Sequence, residues 1–221
     1  YDFASRANGL SLEQALFGSF TIKSFISFLI PLITTKGYAV LGTDMSMANG
    51  FFGVLMFGFF VGSLFIPKKP IHRIIILVSF LTLIISVGKQ TYLREFLYHY
   101  LPMFDSFRFP SSFRLMAILG FILSAGYFLQ YQIENYNAAR FRKHTIFVFI
   151  PIVIILAYII IDSNRAGFEG LGPFFLSIAN ADFSINIESI AFVQSLIALI
   201  TIILFVLVFV FIKSKKARVL L

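Results

Sequence analysis

Ser189-Ile-Ala-Phe-Val-Gln-Ser-Leu-Ile-Ala-Leu-Ile-Thr-Ile-Ile-Leu-Phe-Val-Leu-Val-Phe-Val-Phe-Ile212 contains no Asp, Glu, Lys or Arg and ends against Lys213-Ser-Lys-Lys216. A helix of about 20 apolar residues crosses the ~30 Å hydrocarbon core of a bilayer, so this stretch predicts a membrane span. The whole chain has the matching composition. Of its 221 residues 59% are hydrophobic and 13% charged, and the mean hydropathy is +0.92. Soluble domains carry about 25% charged residues. The chain therefore reads as an integral membrane protein.

Working outward from 189–212, four further apolar stretches read as spans, at about 50–66, 71–87, 113–131 and 145–161. Pro151 inside the fourth is tolerable because neighbouring helices can satisfy a freed carbonyl. In the first, Gly58-Phe-Phe-Val-Gly62 sets two glycines one turn apart. That spacing suits close helix packing, and it also arises by chance in an apolar, glycine-containing helix. The expected fold class is all-α: a polytopic bundle of five spans over 50–221, preceded by 1–49. Within 1–49, Ser11-Leu-Glu-Gln14 reads as a capping box that starts a short helix. From Phe20 to Ile33 the chain is apolar but contains Lys23 and Pro31, and its best run, Phe25 to Ile33, is too short to span, so it reads as a re-entrant or interfacial segment.

Basic residues cluster in three turns: Lys68, Lys69 and Arg73; Arg140, Arg142 and Lys143; Lys213, Lys215, Lys216 and Arg218. If these share one side, that side holds 10 Lys/Arg and one acid, against 8 Lys/Arg and 9 acids on the other, and the alternation fits five spans. The positive side faces the cytoplasm. This makes 1–49, 88–112 and 162–188 extracytoplasmic and the C-terminus cytoplasmic. Nucleic acid is not an expected partner of the +8 charge, because the cations sit in short turns between apolar runs rather than on a basic face. Membrane lipids are.

With no cysteine, thiolate chemistry and Cys-ligated metals are excluded. His72, His99 and His144 lack metal-ligand spacing, so no metal and no cofactor are expected. Residues 91–101 alternate at helical period. Tyr92, Leu93, Phe96, Leu97, Tyr100 and Leu101 fall on one side, and Arg94, Glu95, Tyr98 and His99 on the other, so the helix should lie flat on the membrane. Tyr38, Tyr92, Tyr98 and Tyr100 read most simply as interfacial belt residues, with stacking on a sugar as the alternative.

Directly after it, Arg108 and Arg114 flank Pro110, which breaks regular helix. Their guanidinium forks suit a phosphate or pyrophosphate, with Lys89 and Arg94 in support. The alternative is snorkelling to headgroups or pairing with Asp105. Asp105 and Asp44 are candidate polar contacts. Asp105 could act as a general base if its aromatic surroundings raise its pKa, and both could equally cap turns.

Four segments, in this order, resemble the C-terminal part of bacterial YfhO-type membrane proteins, which are glycosyltransferase-like proteins of the GT-C superfamily. They are Arg6-Ala-Asn-Gly-Leu-Ser-Leu-Glu-Gln-Ala15, Phe28-Leu-Ile-Pro31, Thr43-Asp-Met-Ser-Met-Ala-Asn-Gly-Phe-Phe-Gly53, and Leu101-Pro-Met-Phe-Asp-Ser-Phe-Arg-Phe-Pro110 with Phe113 beyond. Together they cover about 6–126. The resemblance implies a membrane glycosyltransferase in the bacterial inner membrane. It would move a sugar from a polyprenyl-phosphate donor to an extracytoplasmic acceptor such as a cell-wall polymer, a lipid or a protein. In such enzymes the catalytic Asp usually lies in a first extracytoplasmic loop near the N-terminus of a longer chain, and nothing here matches that loop. The catalytic residue is accordingly unassigned: either the chain is a fragment, the C-terminal portion of a longer protein, or the activity is absent. Its expected partners are the polyprenyl-phosphate-linked sugar and the missing N-terminal portion or another membrane subunit. The alternative is a non-catalytic membrane subunit, or a transporter of lipid-linked or anionic solutes. The span at 189–212 lacks the ionisable residues a transporter places near mid-membrane.

Overall fold

The structure, a computed structural model, describes residues 9–102, 104–135, 138–163 and 186–211. The expected loop 162–188 lies almost wholly outside these residues, and the basic tail 213–218 and residues 1–8 lie outside them. Among the described residues there is no strand, and the protein is an all-α bundle.

Four helices among the described residues are long and apolar enough to cross a membrane: α5 (Pro70–Val87), α7 (Phe113–Glu134), α8 (Ala138–Asp162) and α9 (Ile187–Phe211). Their ends follow local chemistry. Pro70 opens α5 at a position where a missing N–H costs nothing, and Gly88 closes it at φ +56. Large apolar side chains point outward from every one of them, among them Leu77, Leu119, Ile154 and Leu204. Such a belt is expected where the surrounding medium is hydrocarbon.

The stretch expected to span at 50–66 behaves differently. It is helical only as α4 (Val54–Ser63), 10 residues long, which at 1.5 Å per residue covers about half of the hydrocarbon core. The cause lies at its start. Asn49 Oδ1 accepts from the Phe51 N–H at 3.0 Å, Gly50 is roofed by the Phe28 and Phe20 rings, and Gly53 takes φ +100. No helix passes through those three constraints. At the other end Lys68 Nζ donates to the Leu64 and Ile66 carbonyls, at 2.7 and 3.2 Å, and satisfies the helix C-terminus.

Residues 9–53 form short elements instead: α1 (Leu12–Ala15), two 3-10 helices (Ile22–Phe28 and Pro31–Lys36), α2 (Gly37–Leu41) and α3 (Met45–Ala48). The expected capping box is present, with Ser11 Oγ accepting from Gln14 N and Gln14 Oε1 accepting from Ser11 N. These elements gather at one end of the bundle, against the end of α5 and the starts of α7 and α9. Phe20 N donates to Ser86 O at 2.9 Å, and Leu32 N donates to Gln194 Oε1 at 2.9 Å. The last of the short helices, α6 (Tyr92–Tyr100), follows α5 after a single 3-10 turn, Gly88–Gln90.

The core is aromatic. Phe28, Phe52, Phe60 and Phe80 surround Phe121 of α7, with the closest ring pair, Phe60 and Phe121, at 4.1 Å. Glycines make this possible. A Cβ on Gly58 would overlap the Phe149 ring of α8, and one on Gly62 would come within 2.8 Å of the Phe128 ring of α7. The glycine pair is thus a packing device that seats two buried rings. Gly58→Ala and Gly62→Ala are each expected to destabilise the bundle by about 1–3 kcal/mol, the usual cost of overpacking. Gly126→Ala, which meets nothing within 4 Å, should be neutral or slightly stabilising. Thermal unfolding in detergent micelles distinguishes the two outcomes, and equal midpoints for all three variants would remove the role assigned to the pair.

Candidate polar cleft

Ser19 ties the short elements to α5. Its hydroxyl donates to Leu16 O at 2.8 Å and accepts from Lys89 N at 3.0 Å, while its carbonyl accepts from Thr43 Oγ1 at 2.9 Å. Thr21 Oγ1 donates to Leu41 O at 2.6 Å. Gly88 must be glycine here, because a Cβ would collide with Ser19 Oγ. Three distant stretches are thereby closed around a cleft of about 480 Å³. Leu12, Leu16 and Phe17 give it an apolar wall, and Glu13, Thr21, Tyr38, Thr43, Lys89 and Gln90 give it polar groups.

Arg108 stands against that wall. It is exposed, and its guanidinium carbon lies 5.4 Å from the centre of the Phe17 ring and 4.9 Å from that of Phe109. The two rings are 6.0 Å apart. Phe109 reaches this position with φ 64, a left-handed conformation costly for an aromatic residue. Gly18, also at positive φ, leaves room for its ring. Among the described residues neither the Arg108 guanidinium nor the Lys89 ammonium makes a hydrogen bond or an ion pair, and Arg108 does not pair with Asp105. Cation–π stacking holds a guanidinium in place without using its N–H groups, so the fork remains available to a ligand.

The other two expected arginines are used differently. Arg114, in the first turn of α7, is buried, and three of its nitrogens donate to backbone carbonyls: Nε to Asn49 at 2.7 Å, Nη1 to Ser111 at 3.1 Å and Nη2 to Ser46 at 2.6 Å. It does not line the cleft. Arg94 is 0% exposed. Its Nη2 donates to Phe104 O at 3.0 Å and to Phe107 O at 2.7 Å, and the guanidinium lies 5.2 Å from the Phe104 ring centre. Among the described residues its Nε and Nη1 have no hydrogen-bond partner. Burial lowers its pKa below the ordinary guanidinium value.

Both carboxylates have local roles. Asp44 caps α3, accepting from Ser46 Oγ at 2.6 Å and Ser46 N at 2.9 Å, and these two bonds, the hydroxyl's first, lower its pKa. Asp105 accepts from Ser106 Oγ at 3.3 Å, and its backbone carbonyl accepts from Leu10 N at 3.0 Å. Among the described residues no group of three His, Asp or Glu is placed to hold a metal ion.

Comparison with family models, with curated proteins and with solved structures finds no match to this chain. Function must therefore be argued from the cleft. Of the sequence candidates, Lys89 lines the cleft, and Arg108 stacks on Phe17, one of its wall residues. Sequence reasoning did not find Glu13, Phe17, Thr21, Thr43 and Gln90, and it read Tyr38 first as a belt residue, with sugar stacking as the alternative. The capping box placed Glu13 on a short helix but gave no sign that this helix would face Lys89.

Proposed function

We propose that the cleft binds the phosphate of a lipid-linked sugar, and that the chain is part of a membrane glycosyltransferase using a polyprenyl-phosphate donor. The observation that carries this reading is the Arg108 guanidinium, stacked with its donors unspent on Phe17, a wall residue of the cleft that Lys89 lines. One cation lining the cleft and another stacked on its aromatic wall suit a phosphate. Glu13 and Tyr38, on the same cleft, suit the hydroxyls of a sugar. The resemblance of 6–126 to YfhO-type proteins supports the transfer chemistry, and the charge asymmetry supports a cleft on the extracytoplasmic side of a bacterial inner membrane with the C-terminus in the cytoplasm.

Hydrogen bonds to charged groups contribute about 1.5–3 kcal/mol each, so Arg108→Ala is expected to weaken binding of polyprenyl monophosphate tenfold or more. Lys89→Ala should weaken it less. The double variant should insert and fold normally while failing to glycosylate an envelope acceptor in cells. Unchanged lipid-phosphate affinity in the double variant, measured by microscale thermophoresis in nanodiscs, would refute the cleft assignment. Intact affinity loss with intact glycosylation would leave phosphate binding and remove the transferase reading.

A further inference from the structure

Helix α6 turns Arg94 and Tyr98 of its polar side toward the protein, while His99 is exposed. Arg94 is wholly buried beneath it, and Tyr98 Oη donates to Leu10 O at 2.6 Å on the same side. The outward ridge is Tyr92, Phe96 and Tyr100, one turn apart, with exposures of 89%, 55% and 75%. Phe96 and Tyr100 stack on each other at 4.7 Å rather than on the rest of the protein. Three large rings turned away from the protein mark a surface made for contact with something apolar.

The position of the ridge identifies that contact. Ile74, Leu77, Leu81 and Ile84 form the exposed apolar stripe of α5, a helix long and apolar enough to cross a membrane, and the stripe runs to its last turn. One 3-10 turn later α6 begins. Exposed Ile22, whose N–H donates to Gln90 Oε1 at 2.7 Å, extends the apolar surface beside that junction. The ridge is thus continuous with a lipid-facing surface, at the point where the chain leaves the hydrocarbon. Two of its three residues are tyrosines, whose rings favour the acyl boundary and whose hydroxyls favour the headgroups.

We infer that α6 is seated in the bilayer interface, with Tyr92, Phe96 and Tyr100 buried among lipids at the headgroup and acyl boundary. This seating fixes the depth of the cleft. Lys89 and Gln90 belong both to the turn that joins α5 to α6 and to the cleft lining, so anchoring α6 holds the cleft mouth at the level of lipid phosphates. The inference is independent of whether a sugar is transferred.

The chain contains no tryptophan, so a single introduced one is an unambiguous reporter. Tyr92→Trp, Phe96→Trp and, as a deep reference, Leu77→Trp are reconstituted in vesicles of phosphatidylethanolamine and phosphatidylglycerol containing brominated phosphatidylcholine. The α6 tryptophans should emit at shorter wavelength than in water. Bromines near the headgroup should quench them more strongly than bromines near the chain ends, with the reverse order at Leu77→Trp. Water-like emission without bromine quenching at both α6 positions would overturn the inference. Blue-shifted emission without bromine quenching would equally overturn it, because the ridge would then be covered by protein. Tyr92→Trp, at the most exposed position, guards against a folding defect in Phe96→Trp.

Discussion

Arg114→Ala is expected to prevent accumulation of the folded protein. The side chain joins three places: the carbonyls of Ser46 and Asn49 around α3, and that of Ser111 in the turn before α7, which otherwise meets α3 through the Ser111 hydroxyl on Met47 Sδ. Each is a bond from a charged donor, for which about 1.5–3 kcal/mol is typical. Relief of the desolvation of Arg114 itself offsets part of this loss. The remainder is still several kcal/mol, against a total stability of about 5–15 kcal/mol for a typical domain. Lysine has one ammonium in place of the planar fork, so Arg114→Lys should retain a fraction of the monodisperse protein and Arg114→Ala almost none. Fluorescence-detected size exclusion in detergent measures both. A folded Arg114→Ala protein that had lost only lipid-phosphate affinity would instead return Arg114 to the role of a phosphate ligand, as its sequence context suggested.

That contrast shows what the sequence could convey. Arg108 and Arg114 are alike in sequence, six residues apart around Pro110. They part because Phe109 turns left-handed and α7 starts at Phe113, which directs one guanidinium onto exposed aromatic rings and the other onto buried carbonyls. The path of the backbone through 109–113 decides this, and no residue type encodes it. The spans at 71–87, 113–131, 145–161 and 189–212 were legible because their signal is spread over many residues, each adding apolar surface. The stretch 50–66 has the same composition, yet its helix starts late under tertiary constraints at Asn49, Gly50 and Gly53. The cleft was least legible. Glu13, Tyr38, Thr43 and Lys89 converge through Ser19, whose three contacts reach both backward and forward along the chain, and periodicity carries no trace of such contacts.

Arg94→Met should leave global stability nearly unchanged while releasing the segment that carries Arg108. Two effects of similar size oppose each other in this substitution. The bonds to Phe104 O and Phe107 O are lost, at about 1.5–3 kcal/mol each for a charged donor. Against them, a fully buried cation whose Nε and Nη1 have no partner is removed, and the effective penalty for such an ion is itself several kcal/mol. Methionine also keeps contact with the Phe104 ring through its thioether. The cancellation is global, whereas the lost bonds are local, so their consequence should appear in the segment itself. Every 1.4 kcal/mol withdrawn from the closed form raises its open population tenfold. Hydrogen exchange should therefore accelerate at least tenfold at the Leu10 and Phe104 amides, which bond Asp105 O and Leu101 O, with the spans unaffected. If Arg94 positions Arg108 through the 107–108 peptide, polyprenyl monophosphate affinity should fall in step with that acceleration. Arg94→Lys, which keeps a donor near the two carbonyls, should restore part of both. Exchange at Leu10 and Phe104 that stays at the native rate in Arg94→Met would mean that the segment is held by its own packing and that the buried guanidinium positions nothing.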